Sequence, residues 1–433
     1  MKIKSKISLG IVACSLLVTL CAEEPLEYWL ADHAPFWNWD GQTFMQHASE
    51  VGFRWTVENQ SARAAPLQRQ FFGSDVYESV VRFDEGSPHS FMVSYFNRGD
   101  SEERLSEAEF QKRVRELIGT ISNTIRTQSR PGNKQSNRND VRDDSRIWQR
   151  KNIQFELSYS YTSSNSGGRF RAEYIRLVAK EFSANEIPSH ARDRINPYEV
   201  RKNVTRDPAS GDVWIANIPM VDQGPKGYCA AATAERILRF FGQEVDQHQV
   251  AQIANTTSKG GTLPDDLKKA LQAVGRQYGF SFNTLKAWDF EDFREEMADY
   301  NKLAEKKGAR YVSLPYGGMW DIGYLYQAVD PPTWKELKKK QRSDFRKFEE
   351  RIKKYVNGGC PIAWSVTLGM FPEEGVNGGG GHLRLIIGYN DKNKEILFSD
   401  TWGLGHEKKR MAIDQAFAIT KSLFSLEPKG LRL

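Results

Sequence analysis

Four side chains in the second half of the chain have the types and spacing for covalent chemistry on a carbonyl: Gln223, Cys229, His382 and Asp400. Cys229 opens the run Cys229-Ala-Ala-Ala-Thr-Ala-Glu-Arg-Ile-Leu-Arg-Phe-Phe-Gly242, which reads as a helix with the thiol in its first turn. Free N–H groups there carry partial positive charge and favour thiolate over thiol. A nucleophile of this kind needs a base, a group that fixes the base's tautomer, and donors for the developing oxyanion. His382 precedes the apolar run Leu383-Arg-Leu-Ile-Ile-Gly388, a buried-strand pattern that begins at the imidazole. Asp400 follows the strand-like Glu395-Ile-Leu-Phe398, and the turn-like Tyr389–Lys394 between the two runs predicts a hairpin that brings carboxylate and ring together. Gln223 lies six positions before Cys229, across a turn that Gly224 and Gly227 permit, so its amide NH2 can share one oxyanion hole with the Cys229 backbone N–H.

Taken singly, each residue has a plainer reading. An isolated cysteine is usually a small buried hydrophobe. His382 alone is a strand-edge histidine, Asp400 a turn residue, Trp402 a core aromatic. The glycines from Gly378 to Gly381 are read either as a flexible loop or as room for a substrate backbone beside His382, and both readings stand. What outweighs the plain readings is that the four occur together and in order.

The Gln-x5-Cys spacing, the glycine two before the cysteine, the helix after it, the distant histidine before a strand, and Asp400-Thr-Trp402-Gly403 resemble papain-like cysteine peptidases. More narrowly, Val221-Asp-Gln-Gly-Pro-Lys-Gly-Tyr-Cys-Ala-Ala-Ala-Thr-Ala-Glu-Arg236 is similar to bacterial C39-like peptidase domains. The resemblance runs from roughly Ile218 to Pro428. It departs from papain in having Ala230 after the nucleophile and Asp400 in place of asparagine, the second a C39-like trait. It implies a two-lobed fold, a helical lobe plus an antiparallel sheet lobe, with Cys229, His382 and Asp400 as the triad, Gln223 as oxyanion donor, Trp402 shielding the orienting residue, and a peptide or protein substrate. No cofactor is required.

A chain of 433 residues exceeds one domain of ordinary size, and 39% hydrophobic residues suffice for a sizeable core. The opening Met1-Lys-Ile-Lys-Ser-Lys6 and the uncharged Ile7–Leu20 have the form of a signal peptide ending near Ala22, too short to span a membrane. The expected location is therefore secreted or periplasmic, with no transmembrane segment in the mature chain. Val18-Thr-Leu-Cys21 has a lipobox outline that would anchor the chain at Cys21, but Leu20 stands where a small residue is expected. Removal of the leader leaves two cysteines, Cys229 and Cys360, and a nucleophile excludes their permanent pairing, so Cys360 is expected as a buried free thiol at the head of a strand. Neither the cysteines nor the seven histidines have zinc spacing. A net charge of +6 is compatible with an anionic cell surface and gives no argument for nucleic acid.

The expected organisation is a signal at 1–22, a strand-rich α+β domain at 23–183, a linker at 184–212 and a papain-like α+β domain at 213–433. Period-two patterning marks strands at Asp75–Phe83, Ser90–Phe96 and Ile153–Tyr161, and an apolar stripe marks a helix at Ser106–Ile125 with a Ser106/Glu109 capping box. Arg126–Arg146 reads as a mobile loop. In the second domain, helices are expected at Cys229–Phe241, Glu244–Asn255, from Pro264 to about Tyr278, Trp288–Lys307 and Trp334–Val356, with a strand at Lys409–Ile413. The first domain is read as a pro-segment over the cleft or as a permanent accessory domain. The activity is read as peptide hydrolysis, with acyl transfer or cell-wall amidase chemistry, and an inert surface binding protein, as alternatives.

Overall fold

In the computed structural model of the chain, the described residues are 25–433 apart from 31–34, 99–102, 133–134, 137–140, 163–169, 182–196, 225–226, 244, 246, 248–249, 252–263, 316–320, 377 and 432. The signal-like opening and most of the expected Glu244–Asn255 helix lie outside them. Among the described residues no helix is long and apolar enough to cross a membrane.

The chain is mixed α and antiparallel β, strand-rich in its first half. There, one antiparallel sheet is built around the long strands Ser87–Asn97, Ile153–Thr162 and Arg171–Glu181. Alternating burial puts Phe91, Val93, Phe155, Leu157, Ile175 and Leu177 in one core. The helix Glu107–Ile125 covers it with Phe110, Val114, Leu117 and Ile121, a spacing of three and four that lines one helix face. Its start is the expected capping box, Ser106 and Glu109 bonding each other's backbone N–H.

The second half packs helices on a second antiparallel sheet. Its longest strand is Gly380–Asn390, which carries His382 and pairs with Ile362–Leu368 and with Glu395–Ser399, so the hairpin expected before Asp400 is present. The helix Cys229–Phe240 lies against this strand, and its Ala230, Ala231 and Ala234 are buried in the core. Small side chains let the helix approach closely, and Thr233 Oγ1 donates to the Leu383 carbonyl across the interface at 3.2 Å.

Several expectations need correction. Arg126–Arg146 is not one loop: Val141–Arg150 is a strand paired residue by residue with Ile153–Thr162. Its charges hid the alternation, but Trp148 is fully buried opposite Phe155 of the paired strand. The tail of the expected linker is likewise structured. Pro197–Lys202 is a helix, and Val204–Arg206 pairs with Asp212–Ile215, which joins the His382 strand. The expected Trp334–Val356 helix is two helices, Pro331–Lys340 and Arg342–Asn357, broken at Gln341, where the backbone leaves helical angles (ψ 57°). Strands at Phe280–Lys286 and Thr420–Pro428 and a helix at Ile413–Ile419 were not anticipated.

Gly388 shows how tightly the site-bearing strand is hemmed in. A Cβ there would lie 2.5 Å from the Val213 carbonyl and 2.8 Å from Trp214 Cβ, beside a bulge between Ile386 and Gly388. The obstacle is backbone and cannot swing aside. Gly388→Ala should therefore destabilise the protein by about 1–3 kcal/mol, measured as a lower urea midpoint.

Candidate active site

The structure brings the four sequence-selected residues together. The His382–Asp400 contact is 2.9 Å, Nε2 to Oδ1, with the carboxylate fully buried. The imidazole also interacts with the Cys229 thiol, and with Nε2 on Asp400 the nitrogen left for sulfur is Nδ1. The thiol also accepts N–H bonds from Ala230, in the first turn of its own helix, and from Leu383, next to His382. Gln223 is tied to the residue after Asp400 twice. Its N–H donates to the Thr401 carbonyl at 2.8 Å, and its Oε1 accepts the Thr401 hydroxyl at 2.6 Å. The amide oxygen is thus engaged, and the NH2 is the donor end. The turn from Gln223 to Cys229 starts as the glycine spacing requires: Gly224 has φ +69°, and its N–H donates to Asp222 Oδ1 at 2.8 Å.

Two buried arginines that the sequence reading did not single out hold these segments in register. Arg236, about two turns along the Cys229 helix, is 1% exposed. It donates to the Pro219 carbonyl at 2.8 Å, the Asp400 carbonyl at 2.6 Å and Ser399 Oγ at 2.5 Å. It therefore joins the nucleophile helix, the approach to Gln223 and the strand end bearing Asp400. Arg384, two residues after His382 and on the same strand face, is 0% exposed; its Nε donates to Asp400 Oδ1 at 2.9 Å. Its two terminal nitrogens grip Glu373 at 2.9 and 2.8 Å, and Lys409 donates to the same carboxylate at 2.8 Å. The signal was present in the sequence as an arginine inside an apolar strand, where a charge survives only if it is paired.

Burial pushes the Asp400 carboxyl up, but the His382 hydrogen bond and the charges of Arg384, His382 and Lys409 outweigh it and hold it below the usual carboxylate range. For His382 burial favours the neutral ring, yet the bonds to Asp400 and Cys229 and their charges raise it to about 9. Cys229 is the reverse case. Burial disfavours the thiolate, and the His382 bond and charge with the Leu383 and Ala230 N–H groups bring it below an ordinary thiol. These interactions favour the thiolate–imidazolium pair relative to an isolated thiol and imidazole. Trp402 lies flat on the imidazole, ring centroids 4.5 Å apart and planes 14° from parallel, so it covers one face of the His382 ring.

Residues 215–423 match the model of the Peptidase_C39 like family. The C-terminal half is a C39-like, papain-like peptidase domain. Among solved structures, the peptidase domain of Streptococcus ComA, a bi-functional ABC transporter involved in a quorum sensing pathway, is similar to it. That likeness is 13% identity over 49% of this chain and 100% of that chain, with a TM-score of 0.25. No curated protein matches. In the C39-like domain the match takes in all four residues and both arginines.

Cys360, the other described cysteine, is fully buried, and burial together with the Glu427 charge pushes its thiol well up. Iodoacetamide on the native protein near neutral pH should therefore modify Cys229 and leave Cys360 untouched, as read by peptide mass; equal labelling would contradict the ion pair. Arg384→Met should cost about 3–5 kcal/mol in urea unfolding, because it takes the nearer of two permanent cations from the fully buried Asp400 carboxylate.

Proposed function

We propose that the protein is a secreted cysteine peptidase that hydrolyses peptide bonds through Cys229, His382, Asp400 and Gln223. The Cys229 thiolate attacks the carbonyl carbon, forming the S–C bond. The resulting oxyanion is received by the Cys229 N–H and the Gln223 amide. His382 gives its proton to the leaving amine as the C–N bond breaks, and Asp400 keeps its ring in the tautomer and orientation that this transfer needs. Water, deprotonated by the now neutral His382, then hydrolyses the thioester. The observation that carries the reading is the buried imidazole hydrogen-bonded on one side to Asp400 and on the other to a thiol of lowered pKa. Export is supported by the basic, then apolar, opening of the chain.

Cys229→Ala should abolish hydrolysis of a peptide library read by mass spectrometry, and Gln223→Ala should lower kcat by about 10²- to 10³-fold with the thiol still alkylated at the wild-type rate. Hydrolysis retained by Cys229→Ala would end the proposal. Turnover should also fall as pH rises through about 9, where His382 loses the proton it must deliver. An activity still climbing well beyond that pH would argue that His382 is not the acid.

A further inference from the structure

Contacts from the strand-rich half converge on the segment that presents Gln223 and Cys229. Arg63 Nη1 donates to Asp222 Oδ2 at 3.3 Å, and Nε of the same guanidinium is ion-paired to buried Glu78 on the adjacent strand. The guanidinium lies against the backbone of Gly224, where a Cβ would be 2.4 Å from Arg63 Nη2. Gly224 is thus required twice, for its positive φ and for this approach. Asn97 Nδ2 donates to the hydroxyl of Tyr228, the N-cap of the Cys229 helix, at 3.2 Å in a buried contact. Arg82 pairs at 3.0 Å with Glu235, which is 2% exposed and lies on the same helix.

Arg63 is well fixed for such a role. It sits on Ser61–Ala64, paired on one side with Arg54–Val57 and on the other with Glu78–Asp84, so a sheet sets its position. Asp222, its target, is held from the opposite side as well, since Gln247 Nε2 donates to the Asp222 carbonyl at 3.0 Å. A cavity lined by Arg63, Arg82, Asp222, Glu235, Arg239 and Gln247 lies at the same junction.

We propose that the strand-rich half is a permanent brace of the oxyanion loop and that Arg63 is its positioning residue, acting on Gln223 through Asp222 and Gly224. A pro-segment would hinder catalysis until removed; this half instead completes the site by holding the turn on which the amide donor is aimed. The inference rests on the peptidase reading for its catalytic consequence, whereas the bracing itself is a property of the loop and has its own readout.

The test uses the full chain with Arg63→Ala, Arg63→Lys and Asp222→Asn, the last of which keeps an oxygen for the Gly224 N–H and loses only the ion pair. Hydrogen exchange across residues 219–232, kcat and KM on a peptide substrate, and the rate of Cys229 alkylation by iodoacetamide are measured for each. Arg63→Ala and Asp222→Asn should exchange faster in that segment and lose about tenfold or more in kcat, with KM and alkylation rate near wild type; Arg63→Lys should recover part of the loss. Alkylation reports the thiolate and imidazolium alone, so its constancy separates a misaimed oxyanion donor from general unfolding. Wild-type exchange and kcat in both Arg63→Ala and Asp222→Asn would overturn the proposal, as would a rise in kcat when the chain is cut within 182–196. A wild-type chain that alkylates but hydrolyses nothing would count against the peptidase reading, and the exchange measurement would still decide the brace.

Discussion

One buried guanidinium carries much of the geometry. Arg236 takes three segments that are remote in the chain and fastens them to one planar group, through the carbonyls of Pro219 and Asp400 and the hydroxyl of Ser399. Burial pushes it down to about 10, so it is still cationic at neutral pH. Each acceptor is therefore met by a charge-assisted donor of fixed fork geometry, which a lysine would not reproduce. Thr233, on the same helix, bonds the His382 strand, so the Cys229 helix is fixed both to that strand and to the segment bearing Asp400.

On that frame the electrostatics follow from a shortage of water. Asp400 is fully buried, a costly place for a carboxylate, and three cationic groups compensate: His382, Arg384 and, at 3.9 Å, Lys409. Arg384 and Lys409 are in turn satisfied by Glu373, which makes a chain of alternating charge that ends on the imidazole. Trp402 closes one face of the ring. A low local dielectric strengthens both the hydrogen bond to Asp400 and the attraction between imidazolium and thiolate.

Much of this was legible in the sequence, for reasons that differ by element. Cys229, His382, Asp400 and Gln223 could be picked out because each lies at a local boundary: a helix start, a strand start, a strand end, a glycine turn. The Ser106 capping box was readable because it is local as well. Arg236 and Arg384 were not picked out, since their meaning depends on partners that only the folded chain supplies. The start of Val141–Arg150 reads as a loop because Arg142, Asp144, Arg146 and Arg150 share the face of its one buried tryptophan, Trp148, which leaves no apolar alternation to read. Thr420–Pro428 is buried almost throughout, so it lacks the alternation by which a half-exposed strand is recognised. The contact of Arg63 with Asp222 joins residues 159 positions apart, beyond the reach of any local pattern.

The central claim is that His382 rests as an imidazolium because a thiolate and a buried carboxylate flank it. Nitrogen NMR of the imidazole in the resting protein at neutral pH tests this most directly. The account predicts protons on both ring nitrogens of His382, and loss of one of them in Cys229→Ala at the same pH as the sulfur anion is removed. A neutral ring in the wild type, with the same tautomer in Cys229→Ala, would contradict it.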